Sequence, residues 1–511
     1  MGFNIREPAI KPKSTKWTSI ITVATACFAT FLDILNLSAV NIALPSIASD
    51  LNLTTSTTPW IIASYSIAFA AFLMPAGKLG DLFGYRMIYL SGIGLFLIGS
   101  IVNAVAPNEY VLFVFRAIQG LGAACTVPNA IALIANSFAD EHARGIALGT
   151  FGGCGPLGFV LGLIIGGALS FTIGWRWIFY ISTICSFIMF LVAFLYVPDF
   201  RHEGSTEKID VLGFFLVTSG FILLIYALSD GQWHLARGPA TLVIGVALIG
   251  AFLLWQFKSS HPLVHPSWWL RRNFAAAFAI GGLQYAQFMG YIYVTTLMFQ
   301  DAFGYTAIQT ALYYLPMSLV AFVVGNSVGY ITPHVGVHAL LIIGSVICLG
   351  ACIGTLFYSY ELGFWKLIFP MHILYGASLP LLYVGGQNAM IAAASPSEAG
   401  TLGAIYNTSC QLGASIGAAI MAAVVNGVNK NGARDINGLP GYHAALYANI
   451  ALTGLCVVIS ILFVRNPPRN ISNSDTSADT LQDIEKGKAE DGLGTSINQV
   501  HDSDSRSLVT E

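Results

Sequence analysis

Runs of apolar residues bounded by charge, Gly or Pro succeed one another along the chain. They lie near residues 18–46, 58–77, 87–106, 110–137, 145–170, 174–197, 211–229, 238–258, 273–299, 307–333, 336–358, 364–393, 398–427 and 442–465, fourteen in all. Each is close to or longer than the roughly 20 residues a helix needs to cross a hydrocarbon core about 30 Å thick. Inside lipid, irregular backbone or an open sheet edge leaves amides without partners, so the pattern predicts fourteen spanning helices and an all-α membrane protein. The first run is too long for the apolar region of a cleaved signal peptide and lacks a clear small-residue cleavage site, so it is read as the first span.

An even number of spans puts both termini on one side, and the basic residues say which. With the N-terminus inside, the inside segments hold Arg6, Lys11, Lys13, Lys16, Lys78, Arg86, Arg144, Arg201, Lys208, Lys258, Arg271, Arg272, Arg465, Arg469 and three tail bases. The outside loops hold only Arg176, Arg237, Lys366, Lys430 and Arg434. Seventeen against five predicts cytoplasmic termini. Asn52-Leu53-Thr54 is then a glycosylation triplet in the first outside loop, with Asn52 the acceptor. Asn36, Asn407 and Asn470 begin similar triplets but fall in the membrane or cytoplasm.

Composition sharpens this picture. The 511 residues are 55% apolar and 9% charged, with a mean hydropathy of +0.71, whereas a soluble globule carries about 25% charged residues. The length therefore reads as many spans, not several soluble domains. The formal charge of −2 hides an asymmetry, because residues 470–511 hold nine acids and three bases and leave 20 bases against 16 acids elsewhere. From residue 466 the chain is rich in Ser, Asp, Asn, Thr and Gly and has no aromatic residue, which predicts a disordered tail. All eight cysteines lie inside apolar runs, so neither a disulfide framework nor a metal cluster is suggested. No Walker loop, metal-ligand set or nucleophile-base pair is visible, and no cofactor, nucleic-acid partner or enzymatic activity is expected.

A repeat organises the runs. Gly77-Lys78-Leu79-Gly80-Asp81-Leu82-Phe83-Gly84 recurs as Gly329-Tyr330-Ile331-Thr332-Pro333-His334-Val335-Gly336, with both end glycines kept at an offset of 252. That offset makes spans 1 to 6 equivalent to spans 9 to 14. The expected division is a cytoplasmic segment 1–17, a six-helix half 18–197, a linker with two inserted spans 198–272, a second six-helix half 273–465, and the tail 466–511. Repeated halves with a site between them are a secondary-transporter architecture.

Polar residues inside the spans are the candidates for chemistry. Arg116 lies within span 4, sharing one helical face with Gln119, Gly120 and Ala123. An intramembrane cation is a functional hypothesis by default, with snorkelling to an interface as its structural alternative. Asp33 is the one acid deep in a span; it can take up a proton or serve as a permanent partner for a cation. Gln284, Gln287, Tyr291 and Thr295 share a face of span 9, Asn407, Gln411 and Ser415 one of span 13, and His372 with Tyr375 a part of span 12. With Asn36, Asn41 and Gln119 they line a candidate substrate cavity, or they merely hydrogen-bond neighbouring helices.

The stretch from Gly77 to Arg86 resembles the loop between helices 2 and 3 of the major facilitator superfamily, matching at Gly77, Leu79, Asp81, Gly84 and Arg86 and departing at Leu82 and Tyr85. Arg116 to Ala124 resembles the fourth-helix motif of its proton-coupled members. Gly155, Pro156, Gly158 and Gly162, amid further glycines, are similar to the antiporter motif of drug:proton antiporters, with Phe159-Val160 at its usual double glycine. Trp175 to Phe179, Val127 to Ala132, Gly400, Asn407-Thr408 and Gln411 to Gly413 extend the resemblance to the fourteen-span branch. Its fungal members include aminotriazole-resistance and borate exporters and ammonium facilitators. Aligning Val40-Asn41-Ile42-Ala43-Leu44-Pro45 puts Asn36 where bacterial relatives carry Asp.

The resemblance implies a major facilitator fold, two six-helix halves plus two inserted helices, working by alternating access as a monomer in the plasma or vacuolar membrane. It implies proton-coupled export of small toxic compounds, with Asp33 and Arg116 in coupling and Gly77, Asp81, Gly84 and Arg86 as the cytoplasmic gate. An uncoupled facilitator of a small solute such as ammonium or borate, and a transporter-like receptor, remain as alternatives.

Overall fold

The computed structural model describes residues 16–466 apart from 54–56, 59, 139, 201–209, 231–236, 272, 359–361, 392–397 and 431–439. Residues 1–15 of the expected N-terminal segment and 467–511 of the expected tail lie outside the described residues. Fourteen long helices follow one another: α1 (Lys16–Asp50), α2 (Trp60–Phe83), α3 (Tyr85–Ala104), α4 (Glu109–Ser137), α5 (Glu141–Thr172), α6 (Arg176–Tyr196), α7 (Val211–Asp230), α8 (Arg237–Gln256), α9 (Phe274–Leu297), α10 (Ala307–Val335), α11 (Val337–Leu356), α12 (Phe369–Ile391), α13 (Ala399–Lys430) and α14 (Pro440–Phe463). No strand occurs among the described residues. Thirteen are long and apolar enough to cross a membrane. The exception is α9, where Gln284, Tyr285, Gln287, Tyr291 and Thr295 lower the mean hydropathy of a 24-residue helix.

Helix ends follow local chemistry. Asn108 caps α4 by accepting from the Val111 amide (3.1 Å), and Asp140 caps α5 by accepting from the Ala143 amide (2.9 Å). Thr306 and Gln309 form a reciprocal capping box at α10, at 3.2 and 2.9 Å. One expectation needs correction: the Gly77 to Asp81 stretch is not a loop but the last turns of α2, and the break comes only at Gly84, with φ +100°. Likewise α10 runs on to Val335 and breaks at Gly336, φ +82°. Aligned peptide dipoles and internal hydrogen bonds carry each helix through polar residues until a glycine leaves the right-handed region.

Packing repeats eight helices along. Helix α1 packs on α4, α5 and α6, α3 on α4 and α6, and α2 on α4; α9 packs on α12, α13 and α14, α11 on α12 and α14, and α10 on α12. The pair α7–α8 leans on α2 and α13 through α7, and the two groups meet chiefly at α5–α10 and α2–α13. Lipid tails are as apolar as Leu, so close backbone approach at small residues drives these contacts. A Cβ added at Gly158 or Gly166 of α5 would fall 2.6 Å from Phe31 O or 2.5 Å from Ala39 Cα, and one at Gly413 or Gly417 of α13 1.9 Å from Gly282 O or 2.1 Å from Ala286 O.

Candidate functional site

The interior of the first group is organised by Arg116. Its side chain is fully buried; Nη1 donates to Asn36 Oδ1 (2.7 Å) and Gln119 Oε1 (2.9 Å), and Nε to Ile61 O (3.1 Å). The guanidinium lies 4.4 Å from the Tyr65 ring centroid. This excludes snorkelling. The network runs on: Gln119 Nε2 donates to Ser100 Oγ (2.9 Å), Asn103 Nδ2 to Gln119 Oε1 (3.3 Å) and Asn36 Nδ2 to Ser182 Oγ (2.9 Å). Five helices thus converge on one cation, which is how a buried charge is tolerated in lipid.

Asp33 is buried one helical turn from Asn36, its Oδ1 has no hydrogen-bond partner, and no ion pair within 4 Å joins it to Arg116 among the described residues. The guanidinium's close partner on α1 is therefore the neutral amide of Asn36. Asn41 is exposed and takes no part in the network.

A second network fills the other group. Tyr375 OH donates to Gln287 Oε1 (2.6 Å), as does Cys348 Sγ (3.3 Å), and Asn449 Nδ2 donates to Gln287 O (2.7 Å). Tyr291 stacks on Tyr375 at 4.1 Å and hydrogen-bonds Thr355 Oγ1 (3.1 Å). Gln284 Nε2 donates to Leu379 O (3.0 Å), and Tyr383 OH to Asn407 Oδ1 (3.0 Å). His372, fully buried, donates from Nδ1 to Tyr313 O (2.8 Å), stacks on Tyr314 (5.3 Å) and leaves Nε2 without a partner. Gln287 Nε2 and both amide atoms of Gln387 are also unpartnered. Gln411 is half-buried and stands apart, its carbonyl accepting from Ser415 Oγ (3.1 Å).

The two groups lock together at the ends of α2 and α13. Asp81 Oδ2 accepts from the Thr401 amide (3.1 Å) and from its hydroxyl, at the first turn of α13. That turn presents free amides and the positive end of the helix dipole, so a carboxylate is favoured there. Gly77 and Gly400 let the backbones touch: a Cβ on Gly77 would meet Ala404 Cβ at 2.5 Å and Gly400 O at 2.7 Å. Arg86 is elsewhere, donating to Phe194 O (2.5 Å) at the end of α6, so it does not share the Asp81 contact. The α5–α10 contact is equally tight: a Cβ on Gly329 would fall 2.1 Å from the Ile146 amide nitrogen. Of the glycines resembling the antiporter motif, Gly155, Gly158 and Gly162 of α5 press on α1, and Pro156 lies between them inside the helix. Asn52 is exposed in the turn after α1, with φ +54°.

The Major Facilitator Superfamily pattern matches residues 26–418. The chain belongs to that superfamily. The major facilitator superfamily multidrug transporter mfsC of Aspergillus fumigatus is 30% identical over 441 residues, 83% of each chain. Puromycin resistance protein pur8 of Streptomyces alboniger is 29% identical over 423 residues, 81% of this chain and 83% of its own. Cephamycin export protein CmcT of Amycolatopsis lactamdurans is 28% identical, covering 90% of this chain and 94% of its own. Among solved structures, the human organic anion transporter MFSD10 matches 86% of this chain and 99% of its own with a TM-score of 0.63 at 15% identity, a likeness of fold. The protein is thus a multi-pass membrane transporter of the major facilitator fold.

Within this superfamily member, the residues that sequence reasoning missed are partners, not motif positions. Tyr65, Ser100, Asn103 and Ser182 complete the first network, and Tyr383, Tyr406 and Asn449 the second, with Gln387 buried nearby on α12 but unpartnered. The available signal was weak: single polar residues at helical spacing in otherwise apolar runs.

Proposed function

We propose that the protein exports small toxic organic compounds by alternating access in exchange for protons, as a monomer in the plasma membrane with both termini cytoplasmic. Its two moving bodies are the six-helix halves 18–197 and 273–465, with α7 and α8 inserted between them. The observation that carries this reading is the α2–α13 contact, where Asp81 meets the first turn of α13 over the Gly77–Gly400 touch. A contact made through one carboxylate and one pair of glycines can be broken and remade without disturbing either group's interior. The substrate class follows the relatives, which carry multidrug, puromycin and cephamycin functions in their names. The fourteen-span branch, beside the aminotriazole-resistance and borate exporters, is proposed on the resemblance of Trp175 to Phe179, Val127 to Ala132 and Asn407-Thr408.

In this scheme Asp33 carries the proton. Its unpartnered oxygen supports the role, because a carboxyl without a fixed donor is free to change charge when water reaches it. The cavity draws on Gln284, Gln287, Tyr291, His372, Asn407 and Gln411 from one half and on Asn36, Asn41 and Gln119 from the other. Gly155, Pro156, Gly158 and Gly162 shape α5 against α1, and Asn52 is the glycan acceptor. One observation favours a second reading, an uncoupled facilitator: the close partner of Arg116 on α1 is an amide and not a carboxylate.

Transport of puromycin in sealed proteoliposomes, with and without an imposed pH gradient, tests the proposal. Uphill accumulation that collapses with the gradient supports proton exchange. Downhill flux indifferent to the gradient selects the facilitator, and binding without flux selects a receptor.

A further inference from the structure

The end of α8 and the segment leading into α9 form a braced cleft that the transport scheme does not use. Asp210, just before α7, accepts from Trp255 Nε1 on Oδ1 (2.9 Å) and from Gln256 Nε2 on Oδ2 (3.3 Å), while Oδ1 also accepts from the Gly213 amide (2.9 Å). Gln256 Oε1 in turn accepts from the Val264 amide (3.0 Å), closing the intervening loop. A 3-10 turn at Pro266–Leu270 follows, in which Trp269 stands edge-on to Phe274 (5.1 Å) and Phe278 (5.3 Å). Between these braces lies a cleft of about 330 Å3 lined by Leu253, Gln256, Phe257, Val264, Pro266 and Trp269. Five of these six side chains are apolar. Phe257 of this lining is 76% exposed and Leu270, next to Trp269 in the chain, 90% exposed, which suits hydrocarbon and not water.

Charge completes the description. Residues 253–273 contain Lys258, His261, His265, Arg271 and Arg272 and no acid. Arg271 is committed to Glu398 (3.1 Å), but no ion pair engages Lys258 among the described residues. His265 is exposed, with Nδ1 2.6 Å from Ser267 Oγ and 3.3 Å from the Ser267 amide, so that Nε2 is the ring nitrogen left for an outside partner.

We infer that this cleft binds an anionic phospholipid of the cytoplasmic leaflet, with an acyl chain against Phe257, Val264 and Trp269 and the phosphate near Lys258 and His265. Trp and basic residues at the end of a span are placed for the headgroup level, and each Lys near an anionic surface contributes roughly a fivefold gain in binding. Walls already braced by Asp210 and Gln256 lose little freedom when a chain settles between them. The leaflet assignment rests on the cytoplasmic placement of the α8 end; binding itself does not, and it can be tested without orientation.

The full chain, purified in detergent with equal amounts of phosphatidylserine and phosphatidylcholine of matched acyl chains, is examined by native mass spectrometry. The wild type should retain phosphatidylserine over phosphatidylcholine by at least about fivefold, and Lys258→Gln should lower that preference by about the same factor. Leu253→Trp, on a side chain 43% exposed, should fill the cleft and release both lipids while the melting temperature holds. Equal retention of the two lipids, or phosphatidylserine retained by a folded Leu253→Trp variant, overturns the inference. So does phosphatidylserine binding that emerges only after removal of the acidic residues 467–511, which would make the tail the occupant of the cleft.

Discussion

Arg116 and Asp33 look like a charge pair in the sequence, but the folded chain gives them different surroundings. Arg116 places Nη1 on Asn36 and Gln119, Nε on the Ile61 carbonyl and its face on Tyr65, and leaves Nη2 buried without a hydrogen-bond partner. An ammonium cannot reproduce a planar fork with a stacked face, so Arg116→Lys should lower transport at least about tenfold although the charge is kept. Arg116→Ala should destabilise the protein by about 1–3 kcal/mol for each buried amide it strands; a denaturation series in detergent compares the two. Asp33→Asn should abolish gradient-driven accumulation while leaving substrate binding intact, because the amide keeps the shape but cannot change charge. Wild-type gradient dependence in that variant would remove Asp33 from coupling. A place inside a long apolar helix was legible for both residues from a charge inside an apolar run, and both side chains are buried there. The pairing was not, because it depends on how α1 is rotated against α4.

At the scale of elements, glycines decide how closely helices approach. Gly77 and Gly400 bring α2 onto α13, and Gly145, Gly149 and Gly329 bring α5 onto α10. Gly77→Ala would drive its Cβ into the Ala404 side chain and the Gly400 carbonyl, a strain of about 1–3 kcal/mol borne only while the two helices touch. The variant should therefore favour separation of α2 from α13, raising labelling of a cysteine placed at Thr401 severalfold in a cysteine-light background. Gly350→Ala is the control, since its Cβ would meet nothing within 4 Å. Labelling unchanged in Gly77→Ala would show that the contact is not what holds this end shut. Which glycines serve as contacts and which as helix breaks was only partly legible. The Gly77 to Gly84 spacing read as a turn, yet a helix continues through it, and only Gly84 adopts a conformation that demands glycine.

For the whole molecule, the Asp81–Thr401 contact is a polar tie between the helix groups at the end of α2, beside the Thr150–Asn326 hydrogen bond (2.7 Å) between α5 and α10. Hydrogen bonds to a charged group contribute about 1.5–3 kcal/mol, so Asp81→Asn should shift the balance between the closed and open cytoplasmic ends by roughly ten- to a hundredfold. Double electron-electron resonance between labels on α2 and α13 reads that shift directly; an unaltered distance distribution would reject it. Thr401→Val, which keeps the amide donor and removes the hydroxyl, should have a smaller effect in the same direction. The seventeen-to-five placement of basic residues leads to a further expectation: tags at both termini should be reached by antibody only after permeabilisation. A tag detected on intact cells would refute the orientation.

The sequence by itself determined how many helices there are, nearly where they lie, that the first six recur as the last six around an inserted pair, and where the carboxylate of the α2–α13 contact sits. Hydropathy and motif spacing are local properties, and lipid forces each long apolar run to satisfy its own backbone, so these features survive without knowledge of the fold. Tertiary structure alone decided that Asn36 partners Arg116, that Arg86 turns away from Asp81 toward α6, and that Gln287, Tyr291, Tyr375 and Asn449 belong to one network while Asn41 and Gln411 belong to none. Those outcomes depend on helix rotation and crossing within a fraction of a turn. Both are set by backbone contacts between small residues far apart in the chain, such as Gly166 with Ala39 and Gly413 with Gly282.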